Sequence, residues 1–136
     1  MKLTDLKIVH AALMGGVLVY AGLATFLVVT GFDGFGGAPP IPMEYAGAVM
    51  LLLMAGGAVA RRRLVAQVSL DDPPEVRLPA YANAVIIGAA LPEGGGLLLI
   101  TLGLMSASAS WIIAGGLAAA FLIWQGRPRA EEVGLE

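Results

Sequence analysis

Residues 88–96 read GAALPEGGG, a carboxylate between one proline and three glycines. This stretch occupies the middle of an apolar segment, residues 81–105, and Glu93 has twelve residues of that segment on either side. At a helical rise of about 1.5 Å per residue, Glu93 is roughly 18 Å from each end. A segment of this length can cross a bilayer, so the sequence predicts a carboxyl at mid-membrane depth. An ionisable group there is costly and indicates a function.

The composition is that of an integral membrane protein. Of 136 residues, 58% are hydrophobic and 13% are charged, and the mean hydropathy is +0.84. There is no cysteine and only one histidine, which excludes disulfides, thiolate ligands and a histidine-rich metal site within one chain. The sequence therefore predicts neither a cofactor nor a metal centre.

Four apolar segments are each long enough to cross a hydrocarbon core, which takes about 20 helical residues. They are residues 8–32, 41–60, 81–105 and 107–124. The predicted fold is all-α, an integral membrane four-helix bundle that forms one domain over residues 1–136. Residues 33–40 (DGFGGAPP) and 106–110 (SASAS) are predicted to be short linkers, 61–79 a polar loop that is mobile over 67–76, and 126–136 a solvated tail.

The basic residues indicate the orientation of these spans. All eight fall on one side of the predicted membrane, whereas the two opposite linkers have none. The positive-inside rule therefore places both termini and the polar loop in the cytoplasm of a cell with a bacterial-type inner membrane. The loop arginines are predicted to set this topology and to contact anionic lipid headgroups: Arg61, Arg62, Arg63 and Arg77.

The residues next to Glu93 predict a distorted helix. Pro92 has no backbone N–H and its ring collides with the carbonyl of Gly88, so it is expected to kink the third span and to free that carbonyl. The glycines that follow, Gly94, Gly95 and Gly96, are expected to loosen the next turn.

Burial in lipid disfavours a charged carboxylate, and no lysine or arginine of the chain is expected at the depth of Glu93. Its partner would then be a proton, a metal cation or another subunit. The alternative is a permanently neutral carboxyl that donates one hydrogen bond and fixes helix packing at the kink. Tyr20, in the middle of the first span, is a possible hydrogen-bond partner of Glu93; the alternative is that its hydroxyl bonds a backbone carbonyl. Thr101, two turns further out, is a second possible supporting group.

Small residues at four-residue spacing predict close helix contacts. They either pack the four helices together or form the face of a homo-oligomer, and the sequence does not separate the two. The pairs are Ala11 and Gly15, Ala12 and Gly16, Gly115 and Ala119, and Gly116 and Ala120.

Two resemblances follow from these motifs. Arg77 and Pro79, followed by the carboxylate helix IIGAALPEGGGLLLITLGL, resemble the hairpin of the proteolipid (c) subunits of rotary ATPases over about residues 46–105. That resemblance implies an ion-binding role for Glu93 and a coupling-loop role for Arg77. The whole chain also resembles small four-span bacterial membrane proteins of unknown function whose third helix has an Ala-Leu-x-Glu-Gly-like motif, which implies no activity.

The sequence thus predicts a small non-enzymatic membrane protein in which Glu93 handles protons or cations within an energy-coupled complex. The alternative is a structural or accessory subunit that packs against a larger complex and keeps Glu93 neutral. No catalytic triad, cysteine–histidine pair or carboxylate pair occurs at a plausible depth, and no phosphate loop is present. The predicted partners are membrane lipids and further subunits of a homo-oligomer or a larger membrane complex, without nucleic acid.

Overall fold

The computed structural model describes residues 2–35 and 41–134, and this part of the chain is all-helical. The α-helices are α1 (Leu3–Val29), α2 (Met43–Val65), α3 (Pro74–Met105) and α4 (Ala109–Gln125), followed by a short 3₁₀-helix at Glu131–Val133. Helix α3 packs against each of the other three α-helices. Glu93 therefore belongs to the central helix of the bundle.

Three of the helices, α1, α2 and α3, are long and apolar enough to cross a membrane. Helix α4 is also apolar but has 17 residues, a length of about 26 Å. Large apolar side chains lie on the outside of the bundle, among them Leu52, Phe26 and Leu117, which are 73%, 61% and 61% exposed. Such an outer surface is typical of a protein surrounded by lipid, where no hydrophobic driving force buries these side chains.

The helices extend beyond the apolar segments at the loop between α2 and α3. Helix α2 continues through Arg61, Arg62 and Arg63, and α3 begins at Pro74, so the connection spans residues 66–73, fewer than the predicted 61–79. Arginine is a good helix former, and proline is well suited to the first helical position, where its missing N–H is not needed. Hydropathy indicated the apolar segments of α2 and α3, but it underestimated the length of both helices at this connection.

Small residues allow the helices to approach closely. A side chain added at Gly95 would overlap Met54 of α2, and one added at Gly96 would overlap Ala119 of α4. On α4 both predicted small pairs are buried, because Gly115 faces Leu99 and Gly116 faces Ala21. These pairs pack the bundle itself.

The small residues of α1 behave differently. Ala11, Ala12 and Gly16 are exposed, and a side chain added at Gly15 or Gly16 would meet nothing within 4 Å. This α1 face is therefore not used for packing within the described part of the chain.

The two ends of the bundle are closed in different ways. At one end, the N–H of Phe35 donates to the carbonyl of Met105 at 3.4 Å, next to the tight turn between α3 and α4. Of the predicted linker 33–40, residues 36–40 lie outside the described residues. Trp111, near the start of α4, covers Gly47 of α2, where any side chain would collide with the indole ring.

The other end holds the first turns of α1 and the segment that follows α4. Val133 is fully buried and packs in one cluster with Leu6, Tyr81 and Val85. The tail folds back onto the helices, so the prediction of a solvated tail is wrong for the buried residues Pro128 and Val133. The tail residues between and beside them, such as Arg127, Arg129 and Glu131, are exposed; residues 135 and 136 lie outside the described residues. The apolar Val133 gives the tail a side chain to bury.

Candidate functional site

Glu93 lies on a stretch of α3 whose neighbours fix its position. Pro92 is buried against Gly57 of α2, and Gly96 is buried against α4. Since successive helical residues differ in direction by about 100°, burying these neighbours leaves Glu93 at the edge of the packed surface, where it is partly exposed. The residues around Glu93 thus secure the helix and leave the carboxyl at its margin.

The Glu93 carboxyl has no hydrogen-bond or ion-pair partner among the residues that the structure describes. The side-chain hydrogen bonds and the ion pair found in this part of the chain join side chains other than Glu93. Space beside it is open, since a side chain added at Gly94 would meet nothing within 4 Å and Ala90 is exposed. Within the described chain, the carboxyl is therefore not the hydrogen-bonded packing group that the alternative interpretation required.

Helix α3 runs without interruption through Pro92, from Pro74 to Met105. The carbonyl of Gly88, which Pro92 leaves without its helical donor, is covered by α2, because a side chain added at Gly57 would lie 2.9 Å from that oxygen. Gly88 is itself buried, against the side chain of Arg61. The proline site is thus part of the α2–α3 contact, and the predicted kink stays a prediction.

Tyr20 and Thr101 form a pair of their own. Their hydroxyl oxygens are 2.9 Å apart, and the Thr101 hydroxyl also lies 2.8 Å from the carbonyl of Leu97. Because the single hydroxyl proton of Thr101 is directed to that carbonyl, Tyr20 donates to Thr101. Tyr20 therefore forms neither of the bonds considered for it, to Glu93 or to a backbone carbonyl, among the described residues. Its partner Thr101 is eight residues further along α3, about 12 Å from the position of Glu93.

A second polar cluster, which we call the tail site, lies where the segment after α4 meets α2 and α3. It consists of Arg61, Tyr81 and Glu132. Arg61 Nη2 and Glu132 Oε2 are 2.6 Å apart, Arg61 Nη1 donates to Oε1 at 3.3 Å, and the Tyr81 hydroxyl donates to Oε2 at 2.5 Å. Two separate helices thus bind one tail carboxylate.

Backbone groups complete the tail site. Arg61 Nε donates to the carbonyl of Gly126 at 2.9 Å, and Nη2 donates to that of Arg127 at 3.3 Å. The N–H of Arg129 donates to the Tyr81 hydroxyl at 2.8 Å. Arg61 is only 9% exposed, so its charge is buried, paired and hydrogen-bonded, as a buried guanidinium requires.

The electrostatics of the tail site favour an ionised Glu132. Burial acts to raise the pKa of this carboxyl, but the hydrogen bonds from Arg61 and Tyr81 and the positive charges of Arg61 and Arg129 outweigh it. The net result is a pKa below the ordinary value of 4.5. The tail carboxylate is therefore charged at neutral pH and bound as an anion.

The four loop arginines have different surroundings. Arg62 and Arg63 are exposed at the end of α2, where headgroup contacts stay possible. Arg61 is buried in the tail site, and Arg77 Nη1 donates to the carbonyl of Leu70 at 2.7 Å. Arg61 is thus an internal tail-binding residue, which differs from its predicted role at the headgroups.

The tail site was missed at the level of sequence, although a signal was present. Buried residues of α2 recur at spacings of seven, three and four residues, which all return to one helix face: Gly47, Met54, Gly57 and Arg61. Arg61 continues this series, whereas Arg62 and Arg63 do not. Helical periodicity therefore marks Arg61 as the inward-facing member of the RRR run.

No protein-family model, curated protein or solved structure matches this chain.

Proposed function

We propose that the chain spans a membrane four times, with α4 as the short fourth span. Its 17 residues are at the lower limit of transmembrane helices, and Trp111 and Trp124 lie near its two ends, as interfacial aromatics do. The bundle end that holds the tail site carries the lysines and arginines. By the positive-inside rule this end lies on the cytoplasmic side of a bacterial-type inner membrane.

We infer that Glu93 is a protonatable site that binds and releases a proton or a cation within an energy-coupled complex. The observation that carries this proposal is a mid-helix carboxyl at the margin of the bundle without a partner in the described chain. Retaining an ionisable group at such depth costs free energy, so a residue that makes no internal bond there has a use other than packing. No enzymatic step is part of this proposal.

The position of Glu93 favours exchange with something outside this chain. Ala90 and Gly94 leave its side of α3 open, whereas the α2 and α4 sides of the helix are closed by glycine contacts. A second subunit, a cation or a proton carrier can therefore approach the carboxyl without displacing the bundle. The ion-carrying carboxylate implied by the resemblance to proteolipid subunits fits this arrangement.

One observation favours the second candidate, an accessory subunit of a larger complex. The α1 face formed by Ala11, Ala12, Gly15 and Gly16 is small and outward-facing, and such faces allow another helix to approach closely. In this function Glu93 stays neutral and contributes one hydrogen bond to the neighbouring subunit.

The pH dependence of carbodiimide labelling in proteoliposomes separates the two candidates. An apolar carbodiimide modifies a protonated carboxyl that it can reach, and mass spectrometry identifies the modified residue. A proton-handling Glu93 is labelled at low pH, and labelling declines as the pH rises. Glu93→Gln removes this signal, whereas the matched variant Glu44→Gln, at an exposed position near the start of α2, leaves it unchanged.

Absence of labelling at every pH, in a protein with the helical circular dichroism spectrum of the wild type, contradicts the proton-handling proposal and favours the accessory subunit. A functional assay adds a second criterion. Glu93→Gln keeps the shape and hydrogen-bonding ability of the side chain but cannot ionise, so it abolishes proton or cation handling and preserves assembly.

A further inference from the structure

Helices α1 and α4 leave a groove on the outside of the bundle, with two cavities along it. The inner cavity, of about 350 Å³, lies beside the tail end and is lined by Lys7, His10, Trp124 and Arg127 among others. The outer cavity, of about 290 Å³, is lined mainly by apolar and small residues, including Leu18, Gly22 and Leu117.

The two cavities lie in line along the contact between α1 and α4. The α1 residues that line them follow one another at three- or four-residue spacing, which places them on a single face of the helix: Lys7, Ala11, Met14, Leu18, Gly22 and Thr25. On α4, Leu117 in the outer cavity and Trp124 in the inner cavity are seven residues apart, two helical turns along the same side.

The inner cavity has two positive charges that no acid of the described chain neutralises. Among described residues the ion pair is that of Arg61 with Glu132, and neither Lys7 nor Arg127 takes part in it. The Arg127 guanidinium lies 4.6 Å from the centre of the Trp124 ring, which holds this cation at the wall of the cavity. The cavity therefore offers positive charge to an incoming anion.

His10 adds an unused hydrogen-bonding group. It is 6% exposed, it lines the inner cavity, and its Nε2 atom is buried without a hydrogen-bond partner among the described residues. Buried polar side-chain atoms nearly always have a partner, so the described fold leaves this ring nitrogen unused. His10 also borders the contact between α1 and α3, and it lies at the polar end of the groove.

We propose that this groove binds one anionic phospholipid of the adjacent leaflet, with its phosphate at Lys7 and Arg127 and an acyl chain along the groove towards Leu18. One leaflet of the hydrocarbon core is about 15 Å thick. Eleven residues separate Lys7 from Leu18, about 16 Å along α1, so a chain that starts at the phosphate reaches the outer cavity.

A phospholipid accounts for both cavities, whereas a free phosphate ion accounts for the inner one only. Basic residues at the membrane surface attract anionic headgroups. The outer cavity is lined by apolar and small residues, which suit an acyl chain. This inference requires the chain to lie in a membrane, as proposed above, but it does not depend on whether Glu93 titrates.

Native mass spectrometry of the full chain in detergent tests the headgroup end. Wild-type protein is expected to bind one phosphatidylglycerol more tightly than phosphatidylcholine. The double variant Lys7→Gln/Arg127→Gln is expected to lose roughly 30-fold in phosphatidylglycerol affinity, as estimated for two basic residues at an anionic lipid surface. The matched variant Arg62→Gln/Arg63→Gln removes the same charge from exposed positions that do not line the groove, and it is expected to lose severalfold less affinity than the first double variant.

Equal losses in the two double variants would overturn the site in favour of diffuse charge attraction. Equal binding of phosphatidylcholine and phosphatidylglycerol would also overturn it. Displacement of the lipid by inorganic phosphate at the same concentration would assign the inner cavity to a phosphate ion, against the proposal.

A second pair of variants tests the acyl end. A Cβ atom added at Gly22 or at Gly56 has nothing within 4 Å, so neither position excludes a side chain at its first atom. Gly22→Leu fills the outer cavity and is expected to weaken binding of long-chain phosphatidylglycerol, with little effect on a short-chain analogue. Gly56→Leu, on the surface of α2, is expected to change neither, and equal effects of the two substitutions would contradict the groove as the acyl site.

Discussion

Glu132 and Glu93 have the same carboxyl group in opposite surroundings. Glu132, in the tail, receives hydrogen bonds from Arg61 and Tyr81 and joins α2 and α3 to the end of the chain. Glu93, in the middle of α3, has no partner within the described residues. A carboxylate whose bonds are all made within the fold contributes to its stability, whereas one that is left unpaired is available to something outside it.

The largest difference between the two sites is expected on removing the carboxyl of the tail site. Glu132→Ala leaves the buried Arg61 guanidinium without its counter-ion and Tyr81 without its acceptor. Breaking such a pair by removing one partner costs about 3–5 kcal/mol when it is fully buried, and we expect the lower end because Glu132 is partly exposed.

Chemical unfolding in detergent measures this loss, and hydrogen exchange of residues 126–134 locates it in the tail. Glu131→Ala is the matched control, because this neighbouring acid is exposed and makes no ion pair among the described residues. Equal effects of the two substitutions would mean that tail charge alone, without the geometry of the pair, holds the segment.

A smaller effect is expected for Tyr81→Phe. This change keeps the buried ring, which is 0% exposed, and removes the hydroxyl that donates to Glu132 and accepts from the Arg129 N–H. A hydrogen bond to a charged group contributes about 1.5–3 kcal/mol, so the loss should be about half that of Glu132→Ala. Unfolding in the same detergent measures it, and a loss below 0.5 kcal/mol would contradict the assigned hydrogen bonds.

Acid is expected to destabilise the tail site less than removal of the carboxyl by Glu132→Ala. Protonation removes the charge of Glu132 but keeps an oxygen that can accept hydrogen bonds. Its pKa in the folded protein is lowered. The stabilisation is therefore complete above the ordinary value of 4.5 and is lost as the pH falls through the lower folded value. Exchange protection of residues 126–134 between about pH 6 and pH 3 reports this, and Glu132→Gln should remove the pH dependence.

The sequence predicted the parts of the fold that depend on local chemistry. Apolar runs of sufficient length indicated the helices, and the all-helical architecture is confirmed for the described residues. Charge was less informative about helix ends, because Arg61 to Arg63 are as compatible with a helix as with a loop. Helix α2 accordingly extends five residues beyond the predicted span that ended at residue 60.

The tail site could not be predicted from the sequence, because it is formed by residues that are far apart along the chain. Arg61 and Glu132 are 71 residues apart, and nothing local to either one specifies the other. The periodicity of α2 marks Arg61 as inward-facing, but the tail alone, with its charges and glycines, is typical of a solvated terminus. Tyr20 shows the same limit, since a mid-span hydroxyl has several partners within reach and only the packed helices select Thr101.

The smallest effect on stability is expected at Glu93. Glu93→Gln breaks no hydrogen bond or ion pair among the described residues, so the free energy of unfolding should change by less than about 0.5 kcal/mol, as for a surface substitution. Glu132→Gln, the same chemical change at the tail site, removes the charge that pairs with Arg61 and should cost several times more. Unfolding of both variants in one detergent, at neutral pH, provides the measurement. A loss at Glu93 as large as that at Glu132 would show that Glu93 has a structural partner and would remove the basis for its proposed role. If Glu93→Gln leaves the free energy of unfolding unchanged, the carboxyl of the wild-type protein is not needed for stability and is present for its chemistry.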